Sequence, residues 1–394
     1  MGVISTEAWV LHAGPAQASS EEPVPGELVR EEFTFPDLAE NEVLVEPLFG
    51  SWEANMGHAL ERTPVDVCRQ RGEDRMVIGN FAAVRVVRPG RAVTRVREGD
   101  LCLTQAFART DEHGYVKLVH AYDAPGTIGV LARQTKIGEH LLLPLPENSR
   151  YTPQQWAASY GRYWTAWDNW RVTYACWMSQ VRRNPAELDP RPLVFGWGGG
   201  VAVAELELAQ RDGFVAAMAS SSPKRLAEIE AKGMIPVDRR TFPDLDHDEG
   251  KFASDPEYRR RYQQSERVFL RTIQELSGRR GAAVIIDNIG RPVYRATLRA
   301  LGRQGVLTTV GWKHGMRLET ARANECIKRH IHVHTHACRF SDIEEILEFQ
   351  EESGWMVELG DQRVYQFDEI PELARDYASG NLDSYFPLFQ INVQ

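Results

Sequence analysis

The stretch PLVFGWGGGVAVAELELAQRDG (Pro192–Gly213) sets a short apolar run, a cluster of glycines and a helical pattern in direct succession, and Gly213 stops the helix. An apolar strand that turns on glycines into a helix is the context in which such glycines carry meaning. In this reading Gly196 permits the tight turn. Gly198 and Gly199 let the backbone approach a pyrophosphate with no Cβ in the way, and Ala202 lets the helix sit close on its sheet. The helix start, at Gly200 and Val201, offers unpaired N–H groups and a partial positive charge to the phosphates. Because Val201 fills the sixth place, a strict G-x-G-x-x-G match fails, and the spacing Gly196, Gly199, Ala202 fits a related variant.

The pattern continues outward from this turn. FVAAMA (Phe214–Ala219) is a second strand, and SPKRLAEIEAKG (Ser222–Gly233) a second helix stopped by glycine. AAVIIDNIG (Ala282–Gly290) and GVLTTVG (Gly305–Gly311) are further buried strands, separated by a helix around VYRATLRAL. Repeated strand–helix units of this kind predict an α/β fold with a doubly wound parallel sheet. The charged segment Asp238–Gly281 is too long for an ordinary connection and is expected to be a surface excursion with a helix of its own.

The end of the second strand decides which dinucleotide fits. An NAD site places Asp or Glu there for the ribose hydroxyls. This chain has Ala219-Ser220-Ser221-Ser222-Pro223-Lys224-Arg225, with no carboxylate. Ser220 and Ser221 offer hydroxyls, and Lys224 and Arg225 offer cations suited to a 2′-phosphate, so NADP(H) is expected. The serines can equally cap the next helix, with the cations solvated. Asn288 and Gly311, at the ends of two later strands, are expected to flank the nicotinamide.

Before the glycine turn the chain reads mainly as strands and turns, among them EVLVEPLFG (Glu42–Gly50), MVIGNFAAVRVVRPG (Met76–Gly90) and VREGDLCLT (Val96–Thr104). A helix follows from Thr152 as N-cap and Pro153 as first residue. The boundaries suggest a β-rich domain over 1–155 with 340–394, and a cofactor domain over 156–339 carrying the excursion at 238–281.

Composition limits the partners. The chain has 394 residues, enough for two domains, with 43% hydrophobic and 26% charged residues, a globular balance. A net charge of -9 argues against a nucleic acid or an anionic membrane as partner. No run approaches the ~20 apolar residues of a membrane span. The start MGVISTEAWVLHAG lacks a secretory pattern, so a cytoplasmic setting is expected. The five cysteines are scattered without a C-x-x-C pair, which favours neither a disulfide framework nor a cysteine-rich zinc lobe.

With its β-rich first half, the glycine turn, DNIG, GRQGVLTTVG and the closing FDEIPELARDYASG (Phe367–Gly380), the chain resembles the medium-chain dehydrogenase/reductase superfamily. Within it, GWGGGVA, SSSPKR and the charged excursion are most similar to the crotonyl-CoA carboxylase/reductase branch. The resemblance covers nearly the whole chain. It implies a GroES-like catalytic domain beside a Rossmann cofactor domain, an NADPH-dependent oxidoreductase, a small-molecule or thioester substrate, and a homodimer.

The departures are as informative. Zinc alcohol dehydrogenases carry a Cys in the early loop and a Gly-His-Glu run further on; here stand Gly50-Ser51-Trp52-Glu53-Ala54-Asn55 and Gly79-Asn80-Phe81. Trp52, Asn80 and Phe81 cannot supply the three N, S or O ligands of a catalytic zinc, so no metal is expected. The carboxylating enzymes hold carbon dioxide with an early Asn, a Phe-Glu pair and a late His. Trp52 or Glu53 falls near the first and Arg109-Thr110 near the second, while His334 or His336 could match the His. Plain reduction is therefore the expectation.

The function expected is reduction of an activated C=C, an enoyl thioester or related α,β-unsaturated carbonyl, by hydride transfer from NADPH. Reduction of a ketone or imine, and a catalytically silent cofactor-binding protein, are the alternatives. Trp52, Asn55, Phe81, Trp164 and Trp167 are expected to line the substrate, and Thr165 to approach the nicotinamide, as the resemblance implies. Glu53, Tyr163 and Asp168 are candidate proton donors. Alternation along His330-Ile331-His332-Val333-His334-Thr335-His336 predicts four histidines on one strand face, where His334 or His336 could also donate a proton.

Overall fold

The computed structural model describes residues 2–15, 23–181, 191–311, 327–337, 339 and 343–393. Trp312, Cys326 and Cys338 lie outside them. The chain divides into two compact units, Met1–Gly161 with Arg339–Gln394, and Arg162–Cys338. The division falls within the helix Pro153–Val181, whose start is capped by the Thr152 hydroxyl on the Gln155 N–H.

In the first unit a mixed sheet runs in the order Leu142–Pro144, Leu101–Thr104, Ala82–Pro89, Glu42–Ser51, Leu388–Gln390, Val364–Tyr365, and Thr135–Gly138 also pairs with Glu42–Ser51. The strand Glu42–Ser51 does not alternate between buried and exposed residues. It is buried almost continuously because it meets three neighbours within a two-sided core. Pro47 has no N–H to give the ladder, and the pairing with Ala82–Pro89 slips between Pro47 and Phe49. The segment Met76–Gly90 is two strands: Arg75–Val77 joins a separate three-stranded sheet, and Ala82–Pro89 joins the mixed sheet. Gly79, Asn80 and Phe81 make the passage between them.

In the second unit all six strands are parallel. Their spatial order is Ile235–Asp238, Val215–Ser220, Leu193–Trp197, Ala282–Asp287, Leu301–Thr309, His332–Thr335. The third strand in sequence lies at one edge and the fourth lies beside the first. The order therefore reverses next to Leu193–Trp197, the switch point where ligands of doubly wound sheets bind. The edge strand Ile235–Asp238 had no clear signal in sequence. It is short and carries Pro236, which only an edge tolerates.

The excursion after this edge strand is not merely a surface feature. The chain must return from the edge to the centre of a parallel sheet, and such a crossover needs a covering helix. The helix Pro256–Leu276 provides it, burying Tyr262, Phe269 and Ile273, with the one buried charge, Glu266, paired to Arg299, and most of its other charges outward. Phe269 packs on Phe195 at 5.5 Å, on Trp197 at 5.0 Å and on Phe242 at 5.5 Å between ring centroids. Expected consequence: Phe269→Ala destabilises the protein by about 3–5 kcal/mol in denaturant unfolding, since it empties the centre of this cluster. A loss under about 1 kcal/mol would show that the excursion is an appendage.

Candidate functional site

The glycine turn is built by division of labour. Gly196 is not the turn residue. It lies inside the strand Leu193–Trp197, and a Cβ there would stand 2.8 Å from Leu206 Cδ1 on the following helix. The missing side chain makes room for the Leu206 methyl under the helix Gly200–Arg211, where the buried Ala202 also packs. The turn belongs to Gly198, at φ +133° and closely packed on Asn288. Gly199 is different again. A Cβ there would meet no atom within 4 Å, so the space in front of it is open. Gly199 is also the N-cap and gives the helix no side-chain cap, leaving the N–H groups at Gly200 and Val201 free of a capping side chain.

At the end of the second strand Ser220 is buried and its hydroxyl accepts the Ser222 N–H at 3.2 Å. Ser222 caps the helix Pro223–Ala231 through the Arg225 N–H. Ser221 and Lys224 are exposed and Arg225 half-buried beside them. Both uses weighed for the serines are thus open: Ser222 is taken by the cap, and Ser221 faces solvent next to two cations.

Across the switch point, Asp287 ends the fourth strand and accepts from the N–H groups of Ile289 (3.0 Å) and Gly290 (3.1 Å). Burial pushes its carboxyl up to about 6 against the pull of those two N–H groups. Asn288 ties three strand ends together. Its N–H donates to Trp197 O at 3.3 Å, and its Oδ1 accepts from Val310 N at 3.0 Å. Its Nδ2 is buried with no hydrogen-bond partner among the described residues. Thr309 turns its hydroxyl onto Gly311 O at 2.8 Å, and Gly311 has open space where a Cβ would be.

Within the same unit, Thr165, Asp168 and Asn169 share one face of the helix Pro153–Val181 at helical spacing. Asp168 Oδ2 meets His336 Nε2 at 3.0 Å, both side chains nearly buried, and the His334 ring lies 5.5 Å from that of His336. Burial, and next His336, hold the His334 imidazole below its ordinary value. The predicted face of four histidines is only partly realised. The strand is His332–Thr335, His332 is exposed, and His330 lies outside it with a positive φ, so only His334 and His336 come together. The buried Tyr163 gives its hydroxyl to Glu207 Oε2 at 3.0 Å, which ties it to the helix of the glycine turn. Trp164 and Trp167 are buried, with Arg171 over the Trp167 ring at 5.4 Å.

In the first unit, Trp52 is fully buried beside Tyr377, with ring centroids 6.3 Å apart. Glu53 is the N-cap residue of the helix Ala54–Glu61 without capping it by its side chain. The Phe81 carbonyl accepts from Ser51 N at 3.3 Å, and the Phe81 ring meets Tyr160 edge-on at 5.9 Å. Thr104 Oγ1 donates to Asn80 O at 2.8 Å. These bonds gather Ser51–Asn55, Asn80–Phe81 and Thr104–Gln105 at one end of the mixed sheet. Asn55 Oδ1, Asn80 Oδ1 and Gln105 Oε1 are buried there without a hydrogen-bond partner among the described residues.

Sequence reasoning missed Gln105, Asn169 and Glu205. Gln105 closes an apolar strand and reads as a turn residue. Glu205 sits in a helical run, VAVAELELAQ, where alternate charges suggest an outward face, yet it is fully buried. Asn169 Nδ2 donates to Glu205 Oε1 at 2.9 Å, and Thr308 Oγ1 donates to Asn169 Oδ1 at 2.8 Å.

No family model and no curated protein matches the chain. Solved structures do. The crotonyl-CoA carboxylase/reductase AntE in complex with NADP aligns over 99% of this chain and 95% of its own, with a TM-score of 0.76 at 18% identity. The 2-octenoyl-CoA carboxylase reductase CinF, in complex with NADP and 2-octenoyl-CoA, aligns over 95% of this chain and 85% of its own, with a TM-score of 0.72 at 20% identity. A further crotonyl-CoA carboxylase/reductase covers 98% of this chain and 88% of its own, with a TM-score of 0.74 at 17% identity. The chain therefore shares the fold of these enzymes.

Proposed function

We propose that the chain is an NADPH-dependent, zinc-independent reductase of an activated C=C in an enoyl thioester or related α,β-unsaturated carbonyl. The observation that carries the reading is the glycine turn at the switch point. Open space in front of Gly199, helix N–H groups without a capping side chain and the buried, unpartnered Nδ2 of Asn288 fit a pyrophosphate and its neighbouring groups. Ser221, Lys224 and Arg225, with no carboxylate at the end of the second strand, favour a 2′-phosphate. The enoyl thioester comes from the fold neighbours, two of which were solved with NADP and one with 2-octenoyl-CoA.

When bound, NADPH supplies the hydride, and the chain's own residues position it and handle the proton. Asn288 and Gly311 border the ring side of the site. His336, held by Asp168, is the proton-carrying group assigned to this reaction, while Tyr163 spends its hydroxyl on Glu207. Zinc chemistry is set aside because Trp52, Asn80 and Phe81 stand where ligands would be needed. The reading also takes a cytoplasmic homodimer. The strand His332–Thr335 has one neighbour in its sheet among the described residues, and its free edge suits a second copy.

Gly199→Ala separates binding from folding. With no described atom within 4 Å of its Cβ, the melting temperature should hold within a few degrees while NADPH affinity, read by cofactor fluorescence, drops by more than about tenfold. Retained affinity would place the phosphates elsewhere.

Lys224→Ala with Arg225→Ala should weaken NADPH by about tenfold or more, about 1.4 kcal/mol, and leave NADH nearly unchanged. Equal loss of both coenzymes would remove the 2′-phosphate assignment.

The reaction itself is tested by following NADPH oxidation with a panel of enoyl thioesters and enones. Products are expected with the carbonyl intact and the C=C saturated. An alcohol or amine product would move the activity to C=O or C=N, and silence across the panel with NADPH bound would leave a cofactor-binding protein.

A further inference from the structure

Glu205 is a carboxyl group with no exposure, on the helix that opens at the glycine turn. One oxygen accepts from Asn169 Nδ2 at 2.9 Å, and the other, Oε2, is buried with no hydrogen-bond partner among the described residues. Among the described residues no cation pairs with it. On the facing helix it meets Asn169, whose Oδ1 in turn accepts from the hydroxyls of Thr173 at 3.5 Å and, on the strand Leu301–Thr309, of Thr308 at 2.8 Å. The charged neighbours are engaged elsewhere: Glu207 with Lys232 and Tyr163, and Asp168 with His336. An ionised carboxylate in such a place would forgo nearly all its hydration for one amide N–H, which disfavours charge strongly. Its position gives that charge a consequence. Six residues separate Glu205 from Gly199, roughly 9 Å along the helix axis at the usual rise. A negative charge there, in a dry interior, would act directly on an anion at the helix start and would cancel part of the helix's own positive end.

We propose that Glu205 is a neutral-acid positioning residue whose single proton couples to cofactor phosphate binding: the protonated form holds Asn169 and leaves the helix end attractive to phosphate, and the ionised form repels it. This rests on the NADPH reading above. Burial, opposed by the Asn169 amide, pushes the carboxyl up to about 8, which sets the pH range. The sign follows from linkage. The bound anion raises the value further, so affinity is full below about 8 and falls as pH rises through it, and binding near that pH takes up a proton. For stability the folded value lies above the unfolded one of 4.5, so the protonated acid's contribution is lost between about 4.5 and 8.

The test measures NADPH affinity by fluorescence at about pH 7 and about pH 9.5 in the wild type and in Glu205→Gln, which mimics the neutral acid. The wild type should weaken by about tenfold, about 1.4 kcal/mol, and Glu205→Gln should stay within about twofold. Parallel pH profiles in the two proteins would overturn the proposal. Two measurements guard against a variant that fails to fold. Calorimetric titration of the wild type with NADPH at about pH 8.5, in two buffers of different ionisation enthalpy, should show uptake of about half a proton, and zero uptake overturns the coupling. In the absence of NADPH, the melting temperature of Glu205→Gln relative to wild type should climb from about pH 5 to about pH 8 and then level off. A flat difference means Glu205 is already ionised. Failure of NADPH to bind at any pH would instead strike the functional reading, while the melting profile would still report on Glu205.

Discussion

The second unit depends on how closely one helix approaches one strand. Gly196 leaves room for Leu206, Ala202 closes the gap, and the helix Gly200–Arg211 sits directly on the strand Leu193–Trp197. That approach fixes where the helix N-terminus points. Because the same strand has the second strand on one side and the fourth on the other, its end opens at the one place where the sheet order reverses. A side chain at Gly196 would press on the Leu206 Cδ1 methyl, which would have to turn aside or push the helix outward, away from the rim where its N–H groups lie near Asn288 and Gly198. Packing in the core and chemistry at the rim are one constraint.

The excursion serves the same constraint. A third strand at the outer edge obliges the chain to cross the sheet before the fourth strand can lie beside the first, and the aromatic cluster of Phe195, Trp197, Phe242 and Phe269 fastens that crossing. Trp197 belongs to both worlds. Its ring is in the cluster, and its carbonyl accepts from Asn288 at the rim. Movement in the cluster would therefore be felt at the turn through one residue.

Much of this was legible in the sequence. The parallel strand–helix units, the glycine turn and the missing acid after the second strand are local patterns, and local patterns survive in one dimension. What stayed hidden has a common physical cause. Ile235–Asp238 is too short, with Pro236 inside it, to signal a strand, and only the neighbouring Val215–Ser220 makes it one. The histidine alternation assumed that pairing would extend from His330 to His336, whereas the ladder with Leu301–Thr309 covers His332–Thr335 alone. Gly196 was given the turn because it comes first, though the strand simply runs past it. Glu205 drew no notice in the sequence because periodicity shows which face a residue is on, not what that face meets.

Two buried carboxyls in this unit show how little it takes to set a charge. Asp287 and Glu205 are both shut away from water. Asp287 receives two backbone N–H groups, and burial raises it only to about 6, so at neutral pH it is largely ionised and can hold the turn that carries Asn288. Glu205 receives one amide N–H and rises to about 8, so it stays largely neutral. The difference lies in the donors that oppose burial: two backbone N–H groups and the Thr297 hydroxyl at Asp287, one side-chain amide at Glu205. An anion presented to this rim thus meets a compensated negative charge across the switch point and an absent one beneath the helix, and it is the second of these that a change in pH can switch on.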